Sequence, residues 1–160
     1  MQFGFFCDRL SRFASLCILY IEKTFMELVT KYLGKSKFEV IARGHHVMCD
    51  QPAENGGDDA GMTPPEFLLA SLATCAGYYA AEYLKHRGLS GEGLEVKVRA
   101  EKAKQPARLG SFLIDVVVPG LEERHEAPIM RAVKSCLIHN TLLSAPAIEI
   151  ALHREQPVSA

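Results

Sequence analysis

Thr63-Pro64-Pro65-Glu66-Phe67-Leu68-Leu69-Ala70-Ser71-Leu72-Ala73-Thr74-Cys75 carries the best-marked helix start in the chain. Thr63 offers a side-chain oxygen at the N-cap, and Pro64 fits the first helical position, where its missing N–H would be unpaired anyway. Glu66 stands three residues after Thr63, which completes a capping box: each side chain satisfies a free backbone N–H beside the other. The helix this predicts runs to about Arg87. There Gly88 supplies a left-handed C-terminal cap, and Lys85, His86 and Arg87 complement the helix dipole. From residue 67 to residue 81 it is apolar or small on every side, and a helix without a polar face must be surrounded. One chain of this size offers a modest sheet and one other helix as cover. A second copy is expected to complete the burial, making a homodimer.

Upstream of this helix the pattern is extended. Lys37–Ala42 alternates polar and apolar residues, Arg43-Gly44 supplies a turn, and residues 45–50 continue as a second strand before a polar loop at 51–61. Downstream, Leu94, Val96, Val98 and Ala100 alternate with charged residues. A connection through Gln105-Pro106 then leads to Phe112, Ile114, Val116 and Val118, stopped by Pro119-Gly120. A second helix is expected from near Pro128 through Cys136 towards Leu143, ended by Ala145-Pro146. Residues 147–153 read as a last strand with Ile148, Ile150 and Leu152 inward. The order β-β-α-β-β-α-β argues for an α+β fold, with antiparallel sheet and the helices gathered on one face. Residues 1–25 differ in character from the rest of the chain. They read as an extension upstream of Met26, leaving residues 26–160 as the domain, or else as an amphipathic first helix packed on the body.

Bulk properties narrow the function. A length of 160 residues suits one domain. With 18 basic against 19 acidic residues there is no positive surplus to neutralise phosphates, so nucleic acid is not an expected partner. Residues 13–21 are apolar but far shorter than the roughly 20 residues a membrane span needs, and residues 67–81 are diluted by Ser71, Thr74 and Gly77. No membrane partner is expected. The five cysteines, Cys7, Cys17, Cys49, Cys75 and Cys136, are odd in number and irregular in spacing, which is a poor disulfide framework. They suit a reducing cytoplasm, as buried small residues or as redox-active thiols. No metal is expected: His45 and His46 point to opposite faces of a strand and cannot easily share one ion with Cys49 and Asp50.

At this point the residues resemble a known family. The stretch from Thr63 to Cys75 is similar to the helix-entry motif of the OsmC/Ohr family, the osmotically induced and organic hydroperoxide resistance proteins: a proline-glutamate pair, Leu- and Ala-rich turns, then a cysteine. Cys136-Leu137-Ile138-His139-Asn140-Thr141-Leu142 echoes the segment around the family's second cysteine. The resemblance spans residues 38–152. It implies an intertwined homodimer in which antiparallel sheets wrap two central helices. It also implies reduction of organic hydroperoxides, with Cys75 attacking and Cys136 resolving. No bound cofactor is implied, and the reductant would be an external dithiol, lipoyl-type or another thiol. Glu66 would belong to the site, and an arginine from the N-terminal strands would be supplied by Arg43. One departure concerns spacing. Nine residues separate Glu66 from Cys75, one fewer than in the best-characterised branches, and at about 100° per residue nine steps aim the two side chains to opposite faces.

Each candidate has a plain structural alternative. Cys75 is either the peroxidatic nucleophile or a small core residue. It lies about three turns inside its helix, too far for the dipole to lower its pKa much, so a nucleophilic role calls for a nearby cation. Cys136 is a resolving thiol or another core cysteine, and the resolving role requires its helix to pack beside the first. Glu66 is explained by capping alone. Arg43 in a turn is ordinarily a solvated residue. Tyr78 and Tyr79 line an apolar substrate pocket or simply pack, and His139 either polarises Cys136 or sits at the surface. The leading expectation is a thiol peroxidase acting on small hydroperoxides. Its rival is a non-enzymatic OsmC-like protein that binds a small hydrophobic ligand or senses redox state through its thiols.

Overall fold

The computed structural model describes residues 26–154; the expected N-terminal extension lies outside them. The chain begins as an antiparallel meander of β1 (Val29–Gly34), β2 (Lys37–Ala42) and β3 (His45–Cys49). Tyr32 stands opposite Phe38 across β1 and β2, and Val40 opposite Val47 across β2 and β3. Strand β1 was not expected from the sequence, although its Val-Thr-Lys-Tyr-Leu run has the branched and aromatic residues that suit a pleated surface. The turn between β2 and β3 is the expected Arg43-Gly44, with φ of 50° and 80°. Two consecutive positive φ values match the right-handed twist of the flanking strands, as in type I′ hairpins.

A buried carboxylate organises the loop after β3. Asp50, fully buried, accepts hydrogen bonds from Ser36 Oγ at 2.8 Å and from the backbone N–H groups of Gln51, Asp58 and Ala60 at 2.8, 2.9 and 3.1 Å. One carboxylate thereby ties the β1–β2 turn to the loop at 51–60. Lys35 and Lys37 close the same loop from outside, each 2.6 Å from the Asp58 carboxylate. Gly57 is required by close approach, because a Cβ there would meet the Gln51 carbonyl oxygen at 1.7 Å. The loop ends where Met62 bridges Cys49, which delivers Thr63 to the start of the next helix.

That helix, α1 (Pro64–His86), runs unbroken from the capping box through the apolar stretch to its basic last turn. Its Leu72, Ala76, Ala80 and Leu84, spaced four apart on one face, are buried. They lie against the hairpin of β4 (Glu95–Lys104) and β5 (Ala107–Val117) and against α2 (Glu123–Val133). Ala76, Ala80, Leu84, Ile129 and Val133 form the core, with Leu94, Val96, Ile114 and Val116 packed on it. Leu72 and Leu84, each about 1% exposed, contribute on the order of 2 kcal/mol apiece through burial. None of the described helices is long and apolar enough to cross a membrane.

Two expectations need correction. The helix anticipated from Pro128 to Leu143 is two helices: α2 starts earlier, with Pro128 inside it, and stops at Val133, and α3 (Leu137–Leu143) comes after a short break. The break falls at Cys136, whose φ of −55° and ψ of 126° are not helical. Residues 147–153 form no strand. Their alternation is present, but Ile148, Ile150 and Leu152 are 81%, 94% and 84% exposed, since no sheet edge of their own chain pairs with them. The fold class stands: α+β, with antiparallel sheets of three and two strands.

Burial by itself would raise the Asp50 pKa. The N–H groups of Ala60, Asp58 and Gln51 and the Ser36 hydroxyl more than offset it, holding the carboxyl far below the usual range. Both carboxylate oxygens face donors only, so Asp50→Asn must turn an NH₂ towards some of them. We expect this variant to melt at least about 5 °C lower than wild type at neutral pH. A depressed folded pKa contributes stability above the unfolded value, about 4, and that stability is lost as pH falls towards the folded value. Thermal melts should therefore show the gap between the two proteins narrowing below about pH 4.

Candidate active site

The first turn of α1 forms the capping box expected from Thr63 and Glu66. Glu66 Oε2 accepts from the Thr63 N–H at 2.7 Å and from Thr63 Oγ1 at 2.8 Å. These two bonds, the backbone one foremost, hold the Glu66 carboxyl below its ordinary value. Because α1 is regular from Pro64 onward, Glu66 faces away from Cys75, as the nine-residue spacing requires. Glu66 is exposed and engaged in capping.

Cys75 is half-buried, about three turns into α1. Cys136 is fully buried at the N-cap of α3, where its Sγ accepts from the His139 backbone N–H at 3.3 Å. A capping sulfur is a weaker acceptor than the usual serine or aspartate oxygen, so a cysteine is not read as a helix start from sequence. The break before α3 brings Cys136 to α1, close enough for the Cys75 thiol to act on its ionisation. Burial first, and then the neighbouring Cys75 thiol, push the Cys136 thiol up; the His139 and Ile138 N–H groups act the other way. Two residues 61 positions apart in the chain meet because α3 packs beside α1.

The other candidates are spread more widely. Arg43 lies exposed in the β2–β3 turn, on a sheet that makes no extensive contact with α1, α2 or α3 within the chain. The groups that set the ionisation of Cys136 come from α1 and α3, and Arg43 is not one of them. Tyr78 is 61% exposed and Tyr79 half-buried; their rings meet edge to face at 5.4 Å. Cys49 is buried beside Asp50, and burial first, then the Asp50 charge, raise its pKa.

An open groove of about 710 Å³ runs between α1, β5 and α3. Leu68, Leu72, Phe112, Ile114, Leu142 and Leu143 make it apolar, and Arg108, Ser111 and His139 are its polar side chains. Sequence reasoning found His139 but not Arg108. Nothing in the β4–β5 alternation distinguishes that residue from its charged neighbours Lys102 and Lys104. Cys75 follows Leu68 by seven residues, which returns it to nearly the same helix face about 10 Å further along.

Residues 56–151 match the family model described as OsmC-like protein. The chain belongs to the OsmC-like family. Solved structures share the fold at low identity. A Psychrobacter arcticus protein assigned to osmotic stress induction and detoxification response aligns with a TM-score of 0.67 at 18% identity, covering 77% of this chain and 91% of that one. An OsmC-like protein from Mycoplasma pneumoniae gives 0.62 at 20% identity, with coverage of 78% and 91%. The Legionella pneumophila organic hydroperoxide resistance protein OsmC, described as a predicted redox protein, gives 0.53 at 19%, with 74% and 90% covered. No curated protein matches the chain. The α+β class with antiparallel sheet implied by the OsmC/Ohr resemblance is the observed one, with three α-helices among the described residues.

The three described thiols differ in access. Cys49 and Cys136 are buried with raised pKa values, whereas Cys75 is partly open. Timed alkylation of the native reduced protein at neutral pH, read by peptide mass spectrometry, should label Cys75 at least about tenfold faster than either of the other two.

Proposed function

We propose that this protein is a cysteine-based thiol peroxidase of the stress-related redox type, reducing organic hydroperoxides. The meeting of Cys136 with Cys75, where α3 packs beside α1, is the observation that carries this reading. In the first step the Cys75 thiolate attacks one oxygen of the O–O bond. An S–O bond forms, the O–O bond breaks, and the alkoxide leaves and takes a proton to become an alcohol. Cys75 is left as a sulfenic acid. The Cys136 thiol then condenses with it: an S–S bond forms, the S–O bond breaks, and water leaves. A sulfur already beside Cys75 needs little movement for this step. An external dithiol, lipoyl-type or other, reopens the disulfide by exchange and is itself oxidised, so the chain needs no bound cofactor. Free thiols in both roles fit a cytoplasmic protein. The family's association with hydroperoxide resistance, as in the description of the Legionella relative, supports the same reading.

The apolar groove favours one further reading, a non-enzymatic protein that binds a small hydrophobic ligand and uses its thiol pair as a sensor. Turnover separates the two. Cumene hydroperoxide consumption with a dithiol reductant should be readily measurable for wild type and fall at least about a hundredfold in Cys75→Ser. Cys136→Ser should leave a sulfenic acid on Cys75 that a dimedone-type reagent traps. A wild type that consumes no hydroperoxide leaves the ligand-binding reading.

The working form we propose is a homodimer. Thr74, Tyr78 and Ala81 make an uncovered stripe on α1, and Tyr32, Phe38 and Val47 are exposed on the three-stranded sheet. A second copy laid on these surfaces would bury them and offer a sheet edge to residues 147–153. Sedimentation should give twice the chain mass, and Tyr78→Glu should shift the protein towards monomer and lower its melting temperature.

A further inference from the structure

We propose that Arg108 is a specificity-determining residue, binding the anionic headgroup of an amphipathic hydroperoxide whose apolar chain lies in the groove between α1, β5 and α3. The inference rests on the peroxidase reading and names the class of substrate that site takes.

Three observations converge on it. First, the groove has the size and mostly apolar wall of a small-molecule site, with few polar groups. Second, one of those polar groups is a cation, the guanidinium of Arg108. Its Nη1 donates to the carbonyls of Gln105 and Pro106 at 3.3 and 3.2 Å, which anchors the guanidinium at the tip of the β4–β5 hairpin. Nη2 and Nε remain for a ligand. The ion pairs formed by lysine and arginine among the described residues engage Lys35, Lys37, Lys85, Lys97, Arg99 and Arg124, so no described carboxylate is paired with Arg108. Ser111 is already committed, its hydroxyl donating to Glu101 at 3.2 Å.

Third, the groove points the right way. Val96 and Val116 pack near the C-terminal half of α1, while Phe112 and Arg108 lie progressively further along β5 towards the hairpin tip. The guanidinium therefore stands at the end of the groove nearer the start of α1. From Leu68 the same helix face leads about 10 Å onward to Cys75. His139 lines the groove and its backbone N–H bonds the Cys136 sulfur, so the apolar channel adjoins the thiol pair. A ligand held by its acid group at Arg108 and lying along Leu68 and Leu72 extends towards Cys75. A group that fixes one end of a flexible substrate chooses among substrates by their charge.

The test uses two probes, a long-chain alkyl hydroperoxide ending in a carboxylate and its methyl ester. For wild type, kcat/KM should favour the acid by about tenfold, as a charge-assisted contact at a partly open site provides. In Arg108→Gln that preference should collapse towards one, mainly through KM for the acid, and Arg108→Lys should recover part of it. An unchanged acid-to-ester ratio in Arg108→Gln overturns the proposal. A second measurement does not depend on turnover: equilibrium binding of the unreactive long-chain carboxylate to Cys75→Ser, with and without Arg108→Gln. About tenfold weaker binding in the double variant supports Arg108 even where wild type proves to have no peroxidase activity, an outcome that sinks only the enzymatic reading. Equal binding in the two proteins, or none in either, counts against the groove and Arg108 whatever the activity.

Discussion

The architecture turns on the absence of a polar face on α1. A helix of 23 residues that is apolar or small over most of its length must be covered, and β4, β5, α2 and α3 are arranged to cover parts of it. The β4–β5 hairpin and α2 take the face carrying Ala76, Ala80 and Leu84, and α3 closes beside Cys75. What the chain leaves open, the stripe through Thr74, Tyr78 and Ala81, is the part its own elements cannot reach. The same demand explains why the first sheet stands apart from the helices, with large side chains such as Tyr32 and Phe38 exposed.

Covering α1 near Cys75 has a chemical consequence. The break at residues 134–136 redirects the chain, and the N-cap of α3 then falls on Cys136. Its sulfur closes the new helix by accepting the His139 N–H and at the same time meets Cys75. Packing and chemistry are joined in one atom: the position that restarts the helix is the position that brings the two sulfurs together.

Sequence legibility depends on how local each signal is. The capping box at Thr63 and Glu66, the Arg43-Gly44 turn and the alternating hairpin strands rest on residues a few positions apart, and they were readable. The family motifs around Cys75 and Cys136 likewise pointed to a pair, which the fold brings into contact. The break in the second helix was not readable, because the apolar period of residues 129–143 continues across it and a thiol is an unusual cap. Strand β1 was missed because its six residues carry no turn signal on the N-terminal side. Residues 147–153 have a strand's alternation, but a strand needs an edge as well as a pattern, and their own chain offers them none. Arg108 was invisible for a related reason: a charged residue gains meaning only from the groove that other elements build around it.

The spacing from Glu66 to Cys75 divides labour within the site. Nine helical steps aim the carboxylate away from the thiol, and capping engages it, with both Thr63 donors on one oxygen. The α1 dipole is also of little use three turns in, because its effect falls off within the first turn. Cys75 therefore cannot draw its surroundings from its own helix. They must come from elements packed across it: the Cys136 thiol on α3 and the walls of the adjoining groove from β5. An environment assembled from separate elements is set by packing rather than by local sequence. The Asp50-centred loop matters here too, since it fixes where α1 begins and so where along the hairpin Cys75 comes to rest.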